Sequence, residues 1–177
     1  TFPRIDSLTS QEARRALVEP ALAEGVIYDD DAVDLAVDLT HGYPYFIQEL
    51  GYQTWIVAEH DRVTRNDIIS AREAYVNKLD GSFFRVRLDR ATQLQTAYMR
   101  AMAQLGPEPQ RAADVAALMG RESPQVAPIR SQLIDMGLLY TPQHGYAAFT
   151  APDFDTFMLR AVPVLDVPEI HRRRRRH

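Results

Sequence analysis

The feature that most constrains the fold of this chain is its alternation of helix-start and helix-stop signals. At the start, Thr9-Ser10-Gln11-Glu12 predicts a capping box, in which the Thr9 hydroxyl and the Glu12 carboxylate are expected to satisfy orphan amides of a first helical turn. Glycines follow the apolar-periodic runs, because glycine readily adopts the left-handed conformation that ends a helix. The predicted stops are Gly25, Gly42, Gly81, Gly106, Gly120 and Gly137. This pattern predicts a mainly α-helical protein.

Residues 1–81 contain four such helices, which we interpret as one helical domain. The helices begin near Thr9, Asp29, Pro44 and Thr64. Pro44 suits a first helical position, where its missing N–H is not needed. The large apolar side chains of this half are predicted to be buried, as such side chains ordinarily are. They include Leu50, Trp55, Tyr75 and the pair Phe83 and Phe84.

A second domain, residues 91–162, follows a predicted linker at residues 82–90. Three helices come first, and two β-prone runs, 138–140 and 146–150, then flank a five-residue turn that contains glycine. Helix, helix, helix and hairpin is the order of a winged helix-turn-helix. The segment 154–162 is predicted to pack back on this domain as a last helix. Residues 163–177 are predicted to be a flexible arginine-rich tail.

Composition excludes several classes of function. The chain has 177 residues and no cysteine, which removes disulfides, thiolate metal sites and cysteine nucleophiles. No apolar stretch approaches the roughly 20 residues of a membrane-spanning helix, and no signal peptide opens the sequence. We therefore expect no membrane partner and a cytoplasmic setting.

The charge is distributed unevenly along the chain. Residues 1–89 carry 9 basic and 16 acidic side chains, whereas residues 90–160 carry 6 of each. Nucleic acids bind mainly through Lys and Arg that neutralise phosphates, so any nucleic-acid role is expected after about residue 90. The run Arg172 to Arg176 is interpreted as a solvated tail or as a loose, salt-dependent phosphate contact.

No catalytic or metal centre is predicted. Asp29, Asp30 and Asp31 stand at a helix start, where carboxylates are favoured by unsatisfied amides and the helix dipole, and they lack the spacing of an EF-hand. The five histidines show no zinc-binding spacing, and no G-x-S-x-G nucleophile elbow occurs. We expect no metal and no enzyme complete within this chain.

The helix near residues 123–136 is the candidate recognition helix for DNA. Its candidate base-reading or phosphate-contacting residues, with one on the hairpin, are Arg121, Gln125, Arg130, Gln132 and His144. Glu122 and Asp135 offset the arginines, and a winged helix serves equally well as a protein-binding module. Both DNA and a protein remain possible partners of this domain.

Two stretches of the first half carry a family resemblance. They are Leu8-Thr9-Ser10-Gln11-Glu12-Ala13 and Thr40-His41-Gly42-Tyr43-Pro44-Tyr45-Phe46-Ile47-Gln48. The first half resembles the helical lid that follows the nucleotide-binding core of bacterial and archaeal P-loop ATPases of the AAA+ and STAND kind. The second half is similar to the winged helix that follows this lid. The resemblance implies a four-helix AAA+-type lid followed by a winged helix-turn-helix.

The same resemblance implies a nucleotide contact. In STAND-type ATPases the Gly-x-Pro motif, here Gly42-Tyr43-Pro44, sits beside the adenine of a nucleotide held mainly by the core. The resemblance therefore implies that Tyr43 stacks on a base and that Pro44 offers an apolar contact. From the local residues alone, the same motif is a helix stop followed by a helix that begins with proline. Both interpretations stay open.

A phosphate-binding loop is missing from this sequence. Such a loop needs G-x-x-x-x-G-K-[ST], and the sole lysine, Lys78, precedes Asp80-Gly81. We therefore expect a non-catalytic fragment of a larger protein, with an N-terminal ATPase core in cis and ATP or ADP bound only in that parent. The alternative is a DNA-binding winged-helix regulator of transcription or replication.

Overall fold

A computed structural model describes residues 7–169 of the chain. The chain divides into two compact units, unit 1 (residues 1–86) and unit 2 (residues 87–177). Helices predominate, and a small antiparallel sheet accompanies them, so the prediction of a mainly helical protein with a β-hairpin is confirmed. None of the helices within residues 7–169 combines the length and the apolar character needed to cross a membrane.

Four long helices and one short pair of parallel strands build unit 1. In order, the elements are α1 (Ser10–Ala23), β1 (Ile27–Tyr28), α2 (Asp30–Thr40), α3 (Pro44–Val57), β2 (Arg62–Val63) and α4 (Arg65–Leu79). Helix α4 starts with a complete capping box, in which Thr64 and Asp67 each accept the other's backbone N–H. The strands pair Ile27 with Arg62 and Tyr28 with Val63. Strands of two residues carry no alternation, so this pair was not predicted.

The core of unit 1 lies where α3 packs on α4 and α2. Phe46 and Leu50 of α3 are fully buried, as are Ile68 and Ala71 of α4 to within 1%. Thr54 is also buried, and its hydroxyl is satisfied because it donates to the carbonyl of Leu50 at 2.7 Å. The predicted burial of Leu50 is therefore confirmed.

Trp55 departs from that prediction. Its side chain keeps 48% of its surface exposed, although we expected it in the core. Leu50 and Thr54 already occupy the inward arc of α3, and Trp55 falls beside that arc, about 100° around the helix from Thr54. Helical periodicity places Trp55 between the two faces, and its size alone suggested the wrong one.

The predicted helix stop at Gly81 is also wrong. A π-helical turn, Asp80–Phe84, continues α4 directly into α5 (Arg85–Leu88). Most of the predicted linker, residues 82–90, is therefore helical. A glycine inside a helix costs about 1 kcal/mol, whereas burying a phenylalanine side chain contributes about 1.5–3 kcal/mol. Phe83 and Phe84 are 4% and 2% exposed, so continuing the helix is favoured.

Three helices, a three-stranded antiparallel sheet and a last helix form unit 2. The elements after α5 are α6 (Gln93–Leu105), β3 (Gln110–Arg111), α7 (Ala112–Leu118), α8 (Ser123–Asp135), β4 (Leu139–Tyr140), β5 (Tyr146–Phe149) and α9 (Phe154–Ala161). The sheet order is β3-β5-β4, with Leu139 opposite Phe149 and Gln110 opposite Ala147. The hairpin is as predicted, whereas β3 was missed because Gln-Arg is too short and polar to show a strand pattern.

Residues 163–169 differ from the predicted flexible tail. The carbonyls of Val162 and Pro163 accept hydrogen bonds from the Arg100 guanidinium at 2.6 and 3.0 Å. Farther along, the Pro168 carbonyl accepts one from Arg121 at 3.3 Å. We call residues 163–169 the C-terminal strap, because these bonds hold its backbone on unit 2. Residues 170–177, including the run Arg172 to Arg176, lie outside the described residues.

Candidate functional site

The turn Gly42-Tyr43-Pro44 joins α2 to α3 in unit 1. His41 and Gly42 both take left-handed backbone conformations, with φ of 52° and 68°, and Pro44 opens α3 as its first residue. The N–H of Leu8 donates to the Gly42 carbonyl at 2.8 Å. A Cβ on Gly42 would lie 2.7 Å from the Leu8 carbonyl oxygen, a contact that needs glycine. The turn therefore fixes the backbone that leads into α1.

Tyr43, the predicted stacking surface, is turned inward. Only 9% of its surface is exposed. Its ring packs against Phe46 at a centroid distance of 4.7 Å and against Phe83 at 6.0 Å. These edge and tilted contacts belong to an aromatic cluster that Phe84 completes. In this arrangement the ring of Tyr43 supports the turn from behind and leaves little surface for a base.

Tyr45 is the aromatic residue that this turn presents to solvent. Its side chain is 42% exposed, and its ring lies 5.1 Å from Phe83 at a tilt of 34°. Tyr45 was not predicted as a site residue, because the Gly-x-Pro motif includes Tyr43 between its glycine and proline and ends before Tyr45. A signal was present, since residues 43 and 46 lie three apart and share a helix face that Tyr45 does not.

The acidic residues 29–31 stand at the start of α2, where Asp29 pairs with an arginine. Asp29 stands at the N-cap of α2 but makes no side-chain cap bond, contrary to the capping role we predicted. Its carboxylate accepts instead from the Arg62 guanidinium of β2. Asp30 and Asp31 occupy the first turn of α2, where the helix dipole stabilises carboxylates. Within residues 7–169 no group of three or more potential ligands is positioned to hold a metal ion.

In unit 2, two of the five candidate nucleic-acid residues are held by hydrogen bonds within the unit. Gln125 accepts the backbone N–H of Glu122 at 2.9 Å, so its side chain caps the start of α8. Gln132 accepts from the side chain of Gln95 at 2.9 Å, and Gln95 in turn caps α6. An amide that reads a base edge presents a donor and an acceptor together, and here each acceptor is already in use.

The two arginines of the candidate set also face the protein. Arg121 donates to the carbonyls of Gly120 and Pro168, and its Nε is buried without a hydrogen bond in the described part of the chain. Arg130 is half-buried beside Tyr98. Burial raises the pKa of the Tyr98 phenol above its ordinary value, and the positive charge of Arg130 opposes that rise.

His144 is exposed, in the turn between β4 and β5. The solvent-facing stripe of α8 itself carries no basic side chain. It consists of Pro124, Gln125, Pro128, Ser131, Gln132 and Asp135. An interface for duplex DNA needs several Lys or Arg side chains directed at phosphates, and this stripe offers two prolines and a carboxylate.

Comparison with known proteins gives one family match and no function. Residues 81–158 match the model of a family described as a domain of unknown function, DUF8462. The match covers less than half of the chain. It runs from the π-helical turn through the sheet of unit 2 to within α9, and α1 to α4 lie before it. No curated protein matches the chain.

Proposed function

We propose that this chain is a non-catalytic region of a larger ATP-binding protein, with unit 1 as a helical lid and unit 2 as a winged helix-turn-helix. In this proposal the nucleotide is ATP or ADP, held mainly by an ATPase core in cis that precedes the lid. Nucleotide occupancy at the lid changes what the winged helix can contact. The chain by itself performs no hydrolysis.

The observation that carries the lid assignment is the hydrogen bond from Leu8 N–H to the Gly42 carbonyl. It ties the backbone that enters α1 to the turn that resembles a nucleotide-contacting Gly-x-Pro motif. A ligand that displaced this turn would therefore also displace the entering backbone. That coupling is what a lid needs if it is to respond to a nucleotide held by the preceding core.

The order of elements supports the second half of the proposal. Unit 2 runs helix, strand, helix, helix, strand, strand, from α6 to β5. This is the element order of a winged helix, with α8 in the recognition position and the β4–β5 hairpin as the wing.

A protein is the better-supported partner for this winged helix. The glutamines of α8 bond within the unit, Arg130 is partly buried, and the open stripe of the helix lacks cations. These features suit a neutral protein surface better than a phosphate backbone.

Calorimetry on the full-length parent tests the lid assignment. ATP and ADP would be titrated into the parent and into its Pro44→Ala and Tyr45→Ala variants, with Tyr52→Ala as a control on the same helix. We expect Pro44→Ala to weaken nucleotide binding at least severalfold, with Tyr52→Ala unchanged. Unchanged affinity in both turn variants would count against a base-contacting role for this turn.

A DNA titration tests the choice of partner. The chain and its Arg130→Ala variant would be titrated with a labelled duplex at about 50 and 200 mM salt, where phosphate contacts differ strongly in strength. We expect no binding that depends on Arg130. Micromolar binding that weakens steeply with salt and is lost in Arg130→Ala would favour a DNA-binding regulator. Salt-sensitive binding that Arg130→Ala leaves intact would trace to Arg172–Arg176.

A further inference from the structure

A groove opens on unit 1 between α1 and α3. It has a volume of about 350 Å³, and the residues that line it are Ala16, Leu17, Pro20, Ala21, Glu24, Tyr28, Ile47, Gln48, Gly51 and Trp55. Small residues form its floor where the two helices pack, and the half-exposed ring of Trp55 forms one wall. A furrow of this kind between two helices can receive side chains of a further helix.

The groove continues into an exposed stripe along α3. We call it the α3 stripe, and it consists of Tyr45, Gln48, Tyr52, Trp55 and Ile56. At 100° per residue these positions fall within an arc of about 100°, and at 1.5 Å per residue they extend over about 16 Å. The exposed fractions of Tyr52 and Ile56 are both 61%. Exposed apolar side chains that lie next to one another in a stripe indicate an interaction site, whereas scattered exposed apolar residues do not.

Among the side chains that line the groove, Glu24 alone carries a charge. The Glu24 carboxylate is exposed and forms no ion pair within the part of the chain that the structure describes. Pro20 lies inside α1 and has no N–H, so the Ala16 carbonyl lacks its usual helical donor. No cation lines the groove, and residues 1–86 carry 8 basic against 15 acidic side chains. A ligand that fits this surface therefore supplies both apolar groups and a positive charge.

We propose that the α1–α3 groove and the α3 stripe together dock a basic amphipathic helix from a separate partner protein. An apolar side chain of that helix fills the groove over Gly51. A neighbouring Lys or Arg reaches the Glu24 carboxylate along the face of Trp55, where a cation is also attracted by the indole ring. This inference goes beyond the proposed function, which assigns unit 1 no partner from a separate protein.

The length of the surface is the reason to infer a helix and not a small molecule. The stripe extends over three turns of α3, well beyond the groove itself, and its exposed side chains are of the kinds that dominate protein interfaces. A helix of about 11 residues would cover it. Its apolar residues would recur at every third or fourth position, so that they follow the stripe.

Trp55 provides a direct readout, because it is the only tryptophan of the chain. The probes are three synthetic 14-residue helices that share one pattern of leucines and contain no aromatic residue. Their polar positions are all lysine, all glutamine or all glutamate. Titration into the full chain would be followed by the emission wavelength of Trp55 and by its quenching with acrylamide.

We expect the lysine peptide to bind with micromolar affinity, to shift the Trp55 emission to shorter wavelength and to protect it from acrylamide. The glutamine peptide should bind at least fivefold more weakly, and the glutamate peptide should not bind measurably. Glu24→Gln should weaken the lysine peptide at least threefold. The matched control is Glu73→Gln, an exposed carboxylate on α4 outside the groove, which should change nothing.

A second variant tests the groove by shape. A Cβ on Gly51 would lie 3.7 Å from Leu17, an ordinary contact, so a side chain at this position can be accommodated at the helix surface. Gly51→Leu should fill the groove and weaken the lysine peptide at least tenfold. Its helical circular dichroism should match that of the parent chain. If Gly51→Leu does not fold, the effect of Glu24→Gln on binding of the lysine peptide tests the proposal.

Three outcomes would overturn the proposal. The first is that no peptide alters Trp55 emission or quenching. The second is that all three peptides bind equally, which would reduce the surface to unspecific apolar adhesion. The third is a Trp55 shift that depends on the concentration of the chain alone and accompanies dimers in sedimentation, which would assign the surface to a second copy.

Discussion

The two units contain different exceptions to the usual burial of apolar side chains and exposure of polar ones. Unit 1 leaves large apolar residues in solvent, with three aromatic rings and an isoleucine along α3 alone. Unit 2 removes polar residues from solvent, and Gln95 and Arg100 of α6 are each 7% exposed. Both arrangements run against ordinary burial preferences, so each needs a physical reason.

The reasons differ, and so do their implications for function. In unit 2 the buried side chains of Gln95 and Arg100 are bonded inside the fold, since Arg100 donates to carbonyls of the C-terminal segment and Gln95 bridges two helices. In unit 1 the ring of Tyr45 packs against Phe83, whereas Tyr52 and Trp55 make no ring contact within residues 7–169. An internal polar network indicates a role in the architecture, whereas an exposed apolar stripe indicates a partner.

The largest expected effect separates the two faces of α3. Phe46→Ala removes a fully buried ring from the aromatic cluster, and we expect it to lower the free energy of unfolding of unit 1 by about 3–5 kcal/mol. Trp55→Ala removes a larger but half-exposed ring, and we expect a loss of about 1 kcal/mol or less. Urea titration followed by helical circular dichroism measures both. Equal losses would mean that α3 has no open face.

The next effect concerns the turn that precedes α3. Gly42→Ala combines an unfavourable left-handed backbone with a Cβ 2.7 Å from the Leu8 carbonyl oxygen, and we expect a loss of roughly 2–3 kcal/mol. Gly25→Ala is the matched control. Its φ of 76° is similar, but a Cβ there meets nothing within 4 Å, so about 1–2 kcal/mol is expected. If the two variants lose the same stability, the close approach of Leu8 contributes nothing.

Much of this fold could be predicted because its signals are local. The helix predicted to begin near Thr64 does so, and Thr64 and Asp67 cap it with reciprocal hydrogen bonds. The hairpin followed from two β-prone runs around a short turn with Gly145. Each of these signals lies within a few residues of the structure that it determines.

The errors share a dependence on distant contacts. Gly81 stays helical because Phe83 and Phe84 pack on Phe46, which is more than 30 residues away in sequence. The strap also depends on a distant contact, since Arg100 donates to the Pro163 carbonyl, 63 residues later in the chain.

The candidate site shows the same limit. Residue type correctly marked Gln125 and Gln132 as capable of hydrogen bonding, but only the fold shows that their bonds are internal. Tyr43 was selected by its motif and is buried, while Tyr45 was passed over and is exposed. Whether a side chain is available to a ligand depends on tertiary packing, which single-residue patterns do not report.

A smaller effect tests the polar interior of unit 2. Arg100→Met keeps the length of the side chain but leaves the carbonyls of Val162 and Pro163 without their donor. We expect a loss of about 2 kcal/mol in unit 2 and faster proteolysis within residues 163–169. Gln104→Ala is the control, because it removes a bond to Arg100 without releasing the strap. Unchanged proteolysis in Arg100→Met would show that the strap is held by other contacts.

The smallest expected effect at neutral pH concerns Tyr98. Its ring is fully buried, and its hydroxyl has no hydrogen-bond partner within residues 7–169. A buried hydroxyl without a partner is unfavourable, so Tyr98→Phe should leave the stability at pH 7 unchanged or raise it by up to about 1 kcal/mol. This contrasts with Arg100, whose three guanidinium nitrogens each donate a hydrogen bond and whose loss destabilises.

Above neutral pH the same variant reports on the phenol itself. Burial raises the pKa of Tyr98 above 10.0, its ordinary value. Above pH 10 the unfolded chain loses the phenolic proton more readily than the folded chain, so the stability of unit 2 falls as the pH rises through the folded-state pKa. Tyr98→Phe should remove that decline in unit 2. Tyr28→Phe should remove the corresponding decline in unit 1, because burial raises the pKa of Tyr28 as well. A decline that persists in unit 2 of Tyr98→Phe would mean that its alkaline unfolding is governed by other groups and that the hydroxyl is hydrated in the folded protein.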